Sequence, residues 1–235
     1  MSEGDAVMPS AQMPLEASRN KIAYSSGGTS GLPLHAAVIK LIRHLNPGGA
    51  AADFGAGKGD LIRSFLNMGF FSSITGFDLM ERPSDLPVFV QWRHADLNLP
   101  VGYPADSFDL VVALGLIEYL ENPFALAREL HSVLRSGGTA ILTTPNNESW
   151  RSLISLVMRG HFVGFAPMGS NINLTALVRR DFETILRFAG FENVRFSYSN
   201  SGLVPKLRLS WQAISGGILS GRRYSDDLVV VCRKP

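Results

Sequence analysis

Three carboxylates and three glycines, spaced along the first half of the chain, are the residues most able to do chemistry. Asp53-Phe54-Gly55-Ala56-Gly57-Lys58-Gly59-Asp60 joins the apolar Gly49-Ala50-Ala51-Ala52 to the periodic Leu61-Ile62-Arg63-Ser64-Phe65-Leu66. A strand that ends in alternating glycines and runs into a helix exposes bare backbone and outward-pointing N–H groups to a ligand. Asp78 closes the apolar Ile74-Thr75-Gly76-Phe77, about 20 residues past the glycines, where a parallel sheet presents a carboxylate to ribose hydroxyls. Asp96-Leu97 follows another strand-like run, Val88 to Trp92. Dinucleotide sites share part of this pattern, but their phosphate turn reads G-x-G-x-x-G, whereas here Gly55, Gly57 and Gly59 alternate behind Asp53. An acid at the mouth of the turn suits an ammonium group better than a pyrophosphate.

Positioning such groups requires alternating strands and helices. Leu34, Val38, Leu41, Ile42 and Leu45 have helical spacing and end at Asn46-Pro47-Gly48. The first strand, its glycine turn and the second helix are expected over about 50–68, further strands near 74–78, 88–92, 108–113, 138–144, 194–198 and 228–232, and further helices near 123–134 and 179–189. This alternation implies an α/β fold with a parallel sheet covered on both faces.

The ordered set Asp53/Gly55/Gly57/Gly59, Asp78, Asp96-Leu97 and Ala113-Leu114-Gly115 resembles the class I S-adenosylmethionine-dependent methyltransferases over roughly residues 35–195. The resemblance implies a doubly wound Rossmann-like sheet of seven strands in the order 3-2-1-4-5-7-6, the last strand antiparallel. It also implies S-adenosyl-L-methionine as cofactor. Asp53, Gly55, Ala56, Gly57 and Gly59 would hold its methionine part, Asp78 the ribose, Leu79 the adenine face, and Asp96 with Leu97 the adenine edge. Ala113, Leu114 and Gly115 would lie beneath the sulfonium. An oxidoreductase using NAD is opposed by the glycine spacing and by the lack of a Tyr-x-x-x-Lys pair; a non-catalytic binder of the same cofactor would carry the same motifs.

Methyl transfer from a sulfonium needs positioning, a dry cavity and, for an alcohol, a base. His161, between Gly160 and Phe162, is the first candidate base, with Glu118 and Tyr119 beyond the fourth strand as the others. His35, His44, His94 and His131 compete. Quinone-biosynthesis O-methyltransferases carry E-x-x-E-H after this strand, able to hold a divalent metal; this chain reads Gly115-Leu116-Ile117-Glu118-Tyr119, so no metal is expected. A second resemblance, through Thr143-Thr144-Pro145-Asn146, Arg159-Gly160-His161-Phe162 and Ala189-Gly190-Phe191, is to bacterial methyltransferases of cell-surface saccharide and natural-product pathways. Asn171 stands where that subgroup often has histidine.

The 235 residues imply one methyltransferase domain over 34–235, preceded by a tail and lid segment over 1–33. Two stretches, about 146–175 and 201–224, exceed what the fold requires and are candidate substrate walls, their apolar residues otherwise belonging to core helices. Residues 1–145 carry 10 Lys+Arg and 14 Asp+Glu, residues 146–235 carry 12 and 6, so the C-terminal part is basic. Phe162, Phe165 and Trp211 beside Arg159, Lys206 and Arg208 suggest a small acceptor with an anionic or lipid-linked end, O-methylated, and leave room for peripheral membrane contact. The basic residues are diluted among aliphatics, which disfavours nucleic acid. The single Cys232 excludes an internal disulfide, and with no signal-peptide pattern or spanning run a cytoplasmic protein is the default expectation.

Overall fold

Strands alternate with helices as expected in a computed structural model that describes residues 19–235 apart from 22, 25, 26, 167–172, 206 and 208. The tail over 1–18, Ser25 and Ser26 of the expected lid, Asn171, Lys206 and Arg208 lie outside the described residues. The strands are β1 Gly49–Phe54, β2 Phe71–Asp78, β3 Gln91–His94, β4 Phe108–Ala113, β5 Leu134–Pro145, β6 Glu192–Tyr198 and β7 Asp227–Arg233. The helices are α1 Leu32–Leu45, α2 Asp60–Met68, α3 Pro123–Val133, α4 Trp150–Arg159, α5 Arg179–Phe188 and α6 Trp211–Ser215.

Their ends follow local chemistry. Asn46 closes α1 in the left-handed region (φ 44°), and Gly69 closes α2 at φ 73°. Pro123 opens α3, where Asn122 Oδ1 accepts from the Ala125 N–H at 3.0 Å.

The seven strands form one sheet in the order β3-β2-β1-β4-β5-β7-β6, parallel except for β7, which is antiparallel to both β5 and β6. Side chains of β1 alternate between two cores. Ala50, Ala52 and Phe54 pack with α3 and α5, while Ala51 packs with α1 and α2. Strand order reverses between β1 and β4, and ligands of open α/β sheets bind beyond the carboxyl ends of strands at such a crossing. The register Pro145↔Asp227 brings the start of antiparallel β7 to that same edge.

Two expectations need correction. β3 begins at Gln91 rather than Val88, because Pro87 accepts from the Val90 N–H in a turn that leaves Val88 and Phe89 in solvent. The apolar residues of α4 do not join a core: Ser152 and Ser155 face inward while Ile154, Val157 and Met158 face out.

Candidate functional site

At the β1/β4 crossing lies a cavity of about 540 Å³. Asp53, Gly55, Ala56, Gly57, Asp78, Leu79, Asp96, Leu97, Leu114, Gly115, Glu118 and Tyr119 all line it. The fold thus brings together twelve of the fifteen candidate residues. Gly59 is instead the residue before α2 (φ 78°), set against Leu86, and Ala113 is fully buried in the core beneath the strand end. His161 does not line the cavity either. Its Nδ1 lies 3.0 Å from the Phe162 carbonyl, so that nitrogen is a donor held by its own neighbour.

The glycine turn is tied on both sides. Asp78, buried at the end of β2, accepts the Gly57 N–H at Oδ2 and the Met80 N–H at Oδ1, each at 2.7 Å. Gly28 crosses the top of the turn and its carbonyl accepts the Lys58 N–H at 2.9 Å. A Cβ on Gly57 would run into the Gly28 carbonyl, and at φ 50° only glycine holds this conformation without strain. The segment before α1 thus has Gly28 packed against the turn. Farther along it, Arg19 donates to Asp96 Oδ2 at 2.8 Å and grips Glu121 through two bonds of 2.9 and 2.8 Å.

Asp53 is 2% exposed, and its Oδ1 has no hydrogen-bond partner. Burial, then the negative charges of Asp78 and Asp60, push its carboxyl up to about 8. Asp60 opens α2 and also lines the cavity, so this helix start carries its own negative charge. Asp78, Asp96, Glu121 and Asp227 join Asp53 and Asp60 on the lining, and the one arginine there among the described residues, Arg19, is engaged by Asp96 and Glu121. Such a wall repels a pyrophosphate and attracts a cation. The unpaired Asp53, the open glycine backbone and the spare lone pairs of Asp78 fit the ammonium, the chain and the ribose of S-adenosylmethionine, and would hold it.

Beyond that, groups from distant parts of the chain converge. Glu118 sits on the turn Ile117–Tyr119 after β4, is 4% exposed, and has Oε2 unpaired. Burial foremost, and also Asp227, hold it up at about 8. Asn173 Oδ1 is likewise buried without a partner in the lining, and the Thr144 hydroxyl of β5 lies by the Glu118 carboxyl, where it works against that rise. Asp227, raised to about 6 mainly by burial, completes the wall. Tyr119, raised to about 12 by burial and then Glu118, keeps its proton at neutral pH, which suits a donor rather than a base. His35 of α1 also lines the cavity with Nε2 unpaired.

Asp227, Thr144 and Asn173 were not singled out from the sequence as site residues. For Asp227 a signal existed: an acidic pair directly before the β-branched run of an antiparallel last strand must open at the carboxyl edge of the sheet. By contrast, Arg159, Phe162, Phe165 and Trp211 do not line the cavity, so the proposed anion-binding pairing finds no support there.

Among the described residues no group of three or more His, Cys, Asp or Glu side chains is gathered to hold a metal. Activity is accordingly expected to survive chelator treatment; loss with rescue by magnesium would show that Glu118 shares a cation. Nor is any helix among these residues long and apolar enough to cross a membrane.

A family model described as a methyltransferase domain matches residues 33–195. A ubiquinone biosynthesis O-methyltransferase of Idiomarina loihiensis is 23% identical over 191 residues, covering 78% of this chain and 74% of that protein. A malonyl-[acyl-carrier protein] O-methyltransferase of Paenibacillus sp. is 27% identical over 153 residues, 60% of this chain and 55% of that protein, so the chain spans only about half of that relative. In fold the chain is similar to the 1,6-didemethyltoxoflavin-N1-methyltransferase of Burkholderia thailandensis, solved with bound 1,6-didemethyltoxoflavin and S-adenosylhomocysteine. The TM-score is 0.61 at 17% identity, over 97% of this chain and 93% of that one.

Proposed function

The chain belongs to the methyltransferase-domain family and is an S-adenosyl-L-methionine-dependent enzyme, and from that premise we propose that it methylates a hydroxyl oxygen of a small, hydroxyl-rich acceptor. A saccharide, a lipid-linked sugar or a natural-product intermediate has that chemistry. The observation that carries this reading is the set of buried polar atoms on one side of the cavity: Glu118 Oε2 with the Thr144 hydroxyl beside it, and the unpaired Asn173 Oδ1. A buried polar atom without a partner costs roughly 1–3 kcal/mol, and hydroxyl groups of a ligand would relieve it. The O-methyltransferases among the relatives lend the same reading further support.

When bound, S-adenosylmethionine supplies a methyl group made electrophilic by its sulfonium. The chain's residues do the rest. Asp53 and Asp78 hold the ligand's polar ends, and Arg19 fixes Asp96 and Glu121 at the rim. Glu118 accepts the proton of the attacking hydroxyl, its raised proton affinity matching a base that works near neutral pH. Asp227 keeps that affinity high, and Val163 adds an apolar side chain to the lining.

Incubation with isotopically labelled S-adenosylmethionine and a panel of alcohols, phenols, amines and nucleic acids tests the reading. Methyl ethers on hydroxylated acceptors are expected. Transfer confined to nitrogen, or to RNA, DNA or protein, would overturn it.

A further inference from the structure

The helix α4 is built inside out. Its inward residues are small and polar: Ser152 Oγ accepts the Val163 N–H at 3.3 Å, and Ser155 is buried beside it. Trp150, Ile154, Val157 and Met158 recur at i, i+4, i+7 and i+8, which places them within about 100° of arc on the opposite side. Val157 is 83% and Met158 74% exposed. An isolated exposed aliphatic needs no explanation, but a full helical stripe turned to solvent does.

The neighbouring segment is tied to the start of α4 and is apolar on its surface as well. Asp226 accepts from Arg151 of α4 at 2.8 Å and from the Leu203 N–H at 3.1 Å, the Trp150 N–H donates to the Arg223 carbonyl, and the Arg223 guanidinium lies 5.1 Å from the Trp150 ring centre. Leu203, Leu207, Leu209, Ile214 and Ile218 of this segment are all exposed. The charges are one-sided as well. Residues 149–175 and 201–224 contain six Lys+Arg and no Asp or Glu, whereas the rest of the chain carries sixteen against twenty. Arg159 closes the last turn of α4 in solvent.

We propose that this face docks on an anionic lipid bilayer, the aliphatic stripe of α4 with the exposed Leu203, Leu209, Ile214 and Ile218 entering the headgroup boundary while the exposed Arg159 meets lipid phosphates. Exposed aliphatics with a Trp in a net-basic stretch, its flanking acids Glu148 and Asp226 already engaged by Arg179, Arg222 and Arg151, are the composition of an interfacial helix, and the opposite charge of the surface supplies the complement. The docking goes beyond the O-methylation reading and does not depend on which hydroxyl is methylated. It does bear on delivery: the chain leaves α4 through Gly160 directly into Val163 and Gly164 of the cavity lining, so an amphiphilic acceptor held in the bilayer would reach the site from this side.

Co-sedimentation of the full chain with phosphatidylcholine vesicles containing about one third phosphatidylglycerol tests the proposal, with pure phosphatidylcholine vesicles beside them. Binding to the anionic vesicles alone, weakened by salt, is expected. The double substitution Val157→Asp with Met158→Asp should lower the bound fraction at least about tenfold, since it places two charges in the entering face. Val88→Asp with Phe89→Asp, an equally exposed pair at the β3 edge of the sheet, should change nothing. Calorimetric binding of S-adenosylhomocysteine reports whether each variant is folded, and separates failure here from failure of the cofactor site. No binding to anionic vesicles, equal binding to both kinds, or self-association of the chain that the α4 substitutions abolish without any vesicle binding would each overturn it.

Discussion

Glu118→Gln is expected to slow methyl transfer about 10²- to 10⁴-fold while cofactor affinity stays nearly unchanged, the usual loss for removal of a general base. Glutamine keeps the shape and an acceptor oxygen but cannot take up the hydroxyl proton. The pH profile separates this role from a structural one. Burial and the neighbouring Asp227 hold Glu118 at about 8, so the wild-type rate should climb with pH and level off near that value as the carboxylate forms. In Glu118→Gln the inflection should vanish. Asp227→Asn removes a like charge, favours ionised Glu118, and should move the inflection to lower pH. His161→Ala should leave rate and profile unchanged, because its Nδ1 is held by the Phe162 carbonyl and the ring does not line the cavity. A Glu118→Gln enzyme with wild-type rate and profile would remove Glu118 from the chemistry and return His35 as the candidate base.

The two halves of the cavity differed in how far they could be read from the chain. Asp53, Gly57 and Asp78 were legible because each stands at the end of an apolar run, and a parallel sheet puts every strand end at one edge. The acceptor side is assembled from Glu118, Thr144, Asn173 and Asp227, which only the tertiary fold brings together. No local spacing announces such a convergence. His161 was attractive for the opposite reason: imidazole chemistry in a glycine-flanked loop is conspicuous in sequence, yet a backbone carbonyl one residue away holds it. Helix α4 shows another limit. Periodicity identifies an apolar stripe but not which way it faces, and the inward Ser152 and Ser155 are what reverse it here. Arg19 was invisible among the polar residues of the N-terminal segment, since its partners lie 77 and 102 positions away.

Asp78→Ala should weaken S-adenosylmethionine and S-adenosylhomocysteine binding by two orders of magnitude or more. The carboxylate holds the Gly57 and Met80 N–H groups at 2.7 Å each and still has lone pairs for a ligand's ribose, so its loss removes partners on both sides of the turn. Each group left unpaired costs roughly 1–3 kcal/mol, and two or three of them exceed what the binding of one small ligand can absorb without a large fall in affinity. Asp78→Asn, which keeps one carbonyl acceptor, should fall between. The proton balance of the site gives an independent check. Asp53 in the free protein is held up at about 8, against its ordinary 3.8, by burial first and then by Asp78 and Asp60. Free protein therefore keeps this proton at pH 7, while a bound cation favours the carboxylate, so binding should release a proton and affinity should rise with pH up to about 8. The same sign makes the unliganded fold less stable as pH climbs from about 4 to 8, because across that window the folded chain holds a proton that the unfolded chain gives up. Asp53→Asn should abolish the proton release, and calorimetry in buffers of different ionisation enthalpy measures it. Binding by Asp78→Ala at wild-type affinity, or heat from NAD in place of the sulfonium ligand, would refute this assignment of the cofactor site.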